Sequence, residues 1–134
     1  MPVAQLKGYI AGGRCWIALD TEEITRDPII GYLLVDEIDG QTHIEQVSVV
    51  PDHQGRGVGR RLIAAAEHWA AARGHDGLSL TTFTDVPWNR PLYEHLGFRI
   101  MDEQEIGPEL RALREREAEH GLDPEIRVCM HLDL

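Results

Sequence analysis

A strand that runs into three closely spaced glycines and then into a long helix most constrains how this chain can fold. The stretch is Val47-Ser48-Val49-Val50-Pro51-Asp52-His53-Gln54-Gly55-Arg56-Gly57-Val58-Gly59-Arg60-Arg61-Leu62. Glycines at alternate positions let the backbone turn tightly and expose consecutive N–H groups. The helix that follows, from Gly57 to Arg73, carries an apolar stripe of Val58, Leu62, Ala66, Trp69 and Ala70 and is stopped by Gly74. A helix start offers unpaired donors and the positive end of the dipole, so it favours an anion. Arg56, Arg60 and Arg61 concentrate positive charge there, in a chain whose net charge is −10. The stretch is therefore a candidate pyrophosphate cradle. The plain alternative is a strand-to-helix turn that needs flexible residues.

Glycine spacing narrows the ligand. The phosphate-loop pattern G-x-x-x-x-G-K-[ST] is absent, and G-x-G-x-x-G fails because Arg60 or Leu62 stands where its last glycine belongs. Gln54-Gly55-Arg56-Gly57-Val58-Gly59 fits Q-x-x-G-x-G. That resembles the acetyl-CoA signature of the GNAT superfamily of N-acetyltransferases. Pro91-Leu92-Tyr93-Glu94-His95-Leu96-Gly97-Phe98 resembles the LYE-x-LGF block of the same superfamily. The two motifs come in the right order, and the resemblance runs from about Cys15 to the C-terminus.

With 134 residues the chain is read as one domain over 1–134. No apolar run approaches ~18 residues, so no membrane span is expected. The N-terminus lacks a signal-peptide core, which predicts a cytoplasmic protein. The acidic balance argues against a nucleic-acid partner and suits a cationic acceptor or simple solubility. Cys15 and Cys129 sit in apolar runs and are expected as buried free thiols. The seven histidines show no metal-ligand spacing, and no metal is predicted.

Local patterns order the elements. Residues 2–12 predict a short helix with Val3, Leu6 and Ile10 on one face. Three strands follow, at 14–20, 29–37 and 43–50, with a turn at Asp39-Gly40. Short connections make them an antiparallel meander. After the long helix come a strand at 78–83, a helix at 88–96, a strand at 97–101, a charged helix at 108–120 anchored by Leu110 and Leu113, and a last strand at 127–132. The helical crossover makes the third and fourth strands parallel. This order predicts an α/β fold, and the resemblance implies a GNAT-like mixed, mostly antiparallel central sheet with helices on both faces.

The resemblance also implies the reaction: an acetyl group moves from acetyl-CoA to a primary amine on a small molecule or peptide, by direct attack. Anchoring falls to Gln54, Gly55, Arg56, Gly57, Val58, Gly59 and Arg60. The preceding strand splays from its parallel neighbour in this superfamily, so Val47, Ser48 and Val49 are implied as contacts of the pantetheine arm, with the Val47 N–H polarising the thioester carbonyl. Tyr93 matches the tyrosine placed near the CoA sulfur, and a phenol can donate a proton to the leaving thiolate. Glu45 and His43 alternate on one side of the third strand, and either is a candidate base, with a reaction that uses no dedicated base as the alternative. Many relatives carry an asparagine seven residues before the tyrosine; Val86 stands there, while Asn89 could reach the ligand or cap its helix. Trp88 lines the acceptor pocket or fills core.

Two other readings stay open. One is a non-catalytic CoA-binding module; the other is a nucleotide-binding protein using the same glycine turn. The resemblance further places Met1 where the superfamily's second helix begins. The strand 14–20 is then expected at a sheet edge with no proline, central lysine or inward charge to guard it, which predicts a homodimer.

Overall fold

The computed structural model describes residues 3–20, 29–83, 89–121 and 127–134, with the side chains of residues 3–6, 83, 89 and 90 outside that description. Helix α1 (Val3–Ala11) leads into the meander β1 (Cys15–Leu19), β2 (Ile29–Ile38) and β3 (Gln41–Val49). Asp39 (φ 55°) and Gly40 (φ 70°) both take the left-handed backbone that a two-residue hairpin turn requires. Then come α2 (Val58–Ala72), β4 (Gly77–Phe83), α3 (Asn89–His95), β5 (Arg99–Ile100), α4 (Pro108–Glu119) and β6 (Arg127–Asp133). The sheet order is β1-β2-β3-β4-β6-β5. Every pairing is antiparallel except β3 with β4. The mixed α/β fold predicted by the sequence is the one observed.

Side-chain alternation gives the sheet two buried faces. Leu33, Val35, Ile44, Leu78, Leu80 and Met130 meet Leu62, Ile63, Ala66 and Ala70 of α2, and Tyr93 of α3 packs beside them. On the opposite face Cys129 joins Ile106 and Leu110, with Ile38 and Leu113 around them. Leu110 and Leu113 thus anchor α4 as its sequence pattern predicts. Burial pushes the Cys129 thiol up to about 11, the range of an inert thiol. Cys15 is also free but only partly buried, because it lies on the edge strand.

The α1 stripe requires a correction. Ile10 is 57% exposed and Tyr9 is the buried residue, at 5%. The tyrosine wins that position because its hydroxyl finds Asp36 Oδ2 at 2.6 Å, whereas Ile10 has only area to gain. Strand β1 does form one edge of the sheet. Trp16 turns inward, edge-on to Trp69 of α2 at 6.0 Å, while Ile17 and Leu19 stay exposed on the other face.

Helix α4 starts at Gly107 without a cap of its own. Asp39 supplies one from the hairpin, accepting the Glu109 N–H at 2.8 Å and the Leu110 N–H at 3.0 Å. A carboxylate at a helix start satisfies orphan donors and the dipole together. Asp39→Ala is expected to destabilise the protein by about 1–2 kcal/mol in urea unfolding, and Asp39→Asn by less. Equal midpoints for the alanine variant and the parent would show that the cap contributes nothing.

Candidate functional site

The parallel pair β3–β4 holds together only at Thr42↔Leu78 and His43↔Ser79. Beyond that register both strands continue, β3 to Val49 and β4 to Phe83, without pairing. A gap therefore opens in the sheet at the C-terminal ends of these strands. His43 Nδ1 and Ser79 Oγ lie 2.8 Å apart at its root.

Backbone direction along β3 decides which groups face the gap. Val50 donates its N–H to Ile30 O at 2.8 Å, and Ser48 O points at Gly31, where an added Cβ would sit 2.7 Å away. Residues 48 and 50 thus face β2. Alternate residues of a strand turn their N–H and C=O to opposite neighbours. Val47 and Val49 therefore present theirs to the gap, while their side chains pack in the α2 core. Ser48, expected as a third contact, has its backbone groups committed to β2, which leaves its exposed side chain alone.

At the same end of the sheet, Pro51–His53 form a short 3-10 turn that leads into the glycine loop. Gln54 Nε2 donates to the gap-facing Val49 O at 3.1 Å and pins the loop to β3. Gly55 and Gly57 adopt φ 77° and 81°, a backbone that side-chain-bearing residues rarely take. The first intrahelical bond of α2 runs from Arg61 N to Gly57 O, so the N–H groups of Val58, Gly59 and Arg60 have no helical partner. Among the described residues no side chain caps this end, and no acidic residue stands in the first turn. Arg56, Arg60 and Arg61 are exposed beside it. His53 is buried and pairs with Asp20 Oδ2 at 3.0 Å, tying the turn to the end of β1.

Helix α3 follows the same end of β4. Tyr93 packs edge-on to Phe98, with ring centroids 5.9 Å apart, and burial raises its phenol above the ordinary tyrosine range. Trp88 and Val86 lie outside the described residues, as does the side chain of Asn89, which opens α3.

The two candidate bases sit on one face of β3, as the alternation predicts, but in different surroundings. Pairing jumps from Ile44↔Val35 to Gln46↔Leu34, so Glu45 stands at a bulge. Bulges re-aim side chains next to functional sites. Ile44 and Val47 both pack on the α2 side, which leaves Glu45 and Gln46 together on the other face, both exposed. Although Glu45 reaches solvent, partial loss of water is the main cause that raises its carboxyl, followed by the charges of Asp36 and Glu117; Arg127 acts against them. His43 is 1% exposed, and burial pushes its imidazole down to about 4.

The groups around Glu45 escaped the sequence. Asp36 accepts from Tyr9 and from Arg14 Nη1 at 2.6 Å. Glu117 of α4 meets Arg127 Nη2 at 2.6 Å, and Arg127 also donates to Thr81 on the diverged part of β4. The one local signal was Asp36 itself, a charge directly after the apolar run Leu33-Leu34-Val35. Among the described residues, no group of three or more His, Cys, Asp or Glu is placed to hold a metal, and no helix is long and apolar enough to cross a membrane.

A sheet opened along one parallel seam, with backbone groups on one wall and an uncapped helix start at its mouth, defines an α/β domain suited to an extended ligand with an anionic head. The Acetyltransferase (GNAT) family profile matches residues 4–98, and the chain belongs to that family. Over 75 residues it is 35% identical to N-alpha-acetyltransferase 80 of Mus musculus, a match spanning 54% of this chain and 23% of the relative. A Bacillus anthracis protein described as a streptothricin acetyltransferase, solved with acetyl coenzyme A, matches with a TM-score of 0.67 and 25% identity, over 90% of this chain and 61% of that one. N-acetylglutamate synthase from Neisseria gonorrhoeae, complexed with coenzyme A and N-acetyl-glutamate, gives 0.77 and 18% identity over 100% of this chain and 28% of that one. The chain thus spans less than two thirds of the length of each of these three proteins.

Proposed function

We propose that this domain transfers the acetyl group of acetyl-CoA to a primary amine by direct attack. One observation carries the reading: the β3–β4 seam opens beyond His43 and Ser79, and Val47 and Val49 face the opening beside the start of α2. The family membership and the CoA complexes of the structural relatives support it. N–H groups from Gly55 to Arg60 hold the pyrophosphate, with Arg56 and Arg60 adding charge. The Val47 N–H polarises the thioester carbonyl as negative charge grows on its oxygen. Glu45 accepts the proton of the incoming ammonium. The freed amine forms the C–N bond, the C–S bond breaks, and Tyr93 gives its proton to the departing sulfur. The second amine proton leaves to solvent as the amide forms.

Glu45 suits the base better than His43, because the imidazole is sealed in the sheet and bonded to Ser79. Glu45→Gln is expected to lower turnover most at low pH, where the amine arrives protonated, and less at high pH. A pH profile that overlays the parent's would remove Glu45 from the role.

The deciding measurement is acetyl-CoA turnover against polyamines, aminoglycosides, amino acids and peptide N-termini, followed by free thiol. Amine-dependent thiol release is the expected result. Tight CoA binding without release on every amine would favour a non-catalytic CoA-binding module.

The unguarded edge of β1, with Ile17 and Leu19 exposed, also supports a homodimer joined across that edge. Sedimentation at micromolar concentration is expected to give twice the 15.1 kDa chain mass. A monomer with the Ile17 amide, which faces away from β2, protected from exchange would mean that the edge is covered within one chain.

A further inference from the structure

Resting on the assignment of Glu45 as base, we infer that Asp36 is a positioning residue for it: Tyr9 and Arg14 clamp Asp36 so that a fixed negative charge stands beside Glu45. The clamp is explicit. The Tyr9 hydroxyl donates to Oδ2 at 2.6 Å, and Arg14 Nη1 donates to Oδ1 at 2.6 Å. The Arg14 guanidinium also lies over the Tyr9 ring, 4.7 Å from its centroid. Both oxygens of one carboxylate are therefore held, by a helix and by the residue that precedes β1.

Register brings that carboxylate to Glu45. Asp36 faces His43 across the β2–β3 ladder, and Glu45 is the next residue of β3 on that face. Diagonal neighbours of this kind lie within reach of long side chains. The bulge at Glu45 turns both Glu45 and Gln46 to the Asp36 side.

The charge is hard to explain as structure alone. A half-buried carboxylate costs stability unless hydrogen-bonded, and an apolar residue after Leu33-Leu34-Val35 would need no clamp. Placing it next to a second carboxylate adds repulsion. The groups that face Glu45 come from four other elements: Asp36 on β2, Tyr9 on α1, Glu117 on α4 and Arg127 on β6. Tyr9 remains a neutral phenol, because burial and its bond to Asp36 raise it. Glu117 and Arg127 bind each other at 2.6 Å, so their fields largely cancel. Arg14 belongs to the β1 end, one strand further from β3 than Asp36, and neutralises it less effectively at Glu45. His43 on β3 is uncharged at neutral pH, since burial lowers it. The consequence is a base with a stronger hold on a proton than a free glutamate.

Carbon-13 carboxyl NMR titration of Glu45, assigned by its loss in Glu45→Gln, tests this without an acceptor. Asp36→Asn is expected to lower the Glu45 midpoint by about half a pH unit or more, and Asp36→Glu to leave it near the parent value. An unmoved or raised midpoint in folded Asp36→Asn overturns the inference. Should Asp36→Asn fail to fold, Arg14→Gln removes the countercharge instead; the midpoint is then expected to rise, and no change overturns the inference. The acid limb of kcat on the best amine of the panel should follow the midpoint. If Glu45→Gln keeps the parent's acid limb while Asp36→Asn still lowers the midpoint, the base assignment fails and the coupling of the two carboxylates stands.

Discussion

Gly59→Glu is expected to abolish CoA binding while the domain stays folded. Gly59 is the second residue of α2, and a Cβ there would meet nothing nearer than Val49 Cγ2 at 3.9 Å. Its backbone is helical, so a side chain introduces no strain. A glutamate in the first turn even interacts favourably with the helix dipole, by about 0.3–1 kcal/mol. The same carboxylate occupies and repels in the place proposed for the pyrophosphate. Gly55 and Gly57 make poorer tests: at φ 77° and 81° any side chain strains the loop and mixes folding with binding. Titration calorimetry should show no CoA heat for Gly59→Glu, a thermal midpoint at or above the parent's, and a smaller loss of affinity for Gly59→Ala. Full affinity in the folded glutamate variant would remove the cradle from the helix start.

What the sequence made legible was local. The α2 stripe, the Asp39-Gly40 turn and the strand alternation each depend on neighbours a few residues apart, and each is found where it was expected. The opening of the β3–β4 seam is not local. It depends on where the pairing of two strands stops, and His43 to Val50 read as one ordinary strand; here the superfamily resemblance supplied the expectation. His43 shows the same limit. Alternation put it on the face of Glu45, but its burial and its hydrogen bond to Ser79, 36 residues further on, come from the tertiary fold. Tyr9 and Asp36 are 27 residues apart, so a helix pattern scored for apolar periodicity chose Ile10 instead. The bulge at Glu45 carries no glycine or proline to announce it, and it alone turns Gln46 to the Glu45 face.

Tyr93→Phe is expected to cut turnover by about 10²–10⁴-fold and to leave CoA affinity nearly intact. The substitution keeps the ring, so the edge-on contact with Phe98 and the packing against the α2 core persist. Only the hydroxyl is lost. Burial raises the phenol above its ordinary range, so Tyr93 is protonated throughout the neutral region and is a donor rather than an acceptor. The sign of the pH dependence follows. If the phenol protonates the departing sulfur, activity falls as pH rises through its elevated midpoint, and this alkaline limb is absent from the residual activity of Tyr93→Phe. A thiol leaving group can also take its proton from water, which is why the expected loss is large but finite. Parent-level turnover in a folded Tyr93→Phe, or a residual activity that keeps the alkaline limb, would assign the proton to another donor and leave Tyr93 as packing.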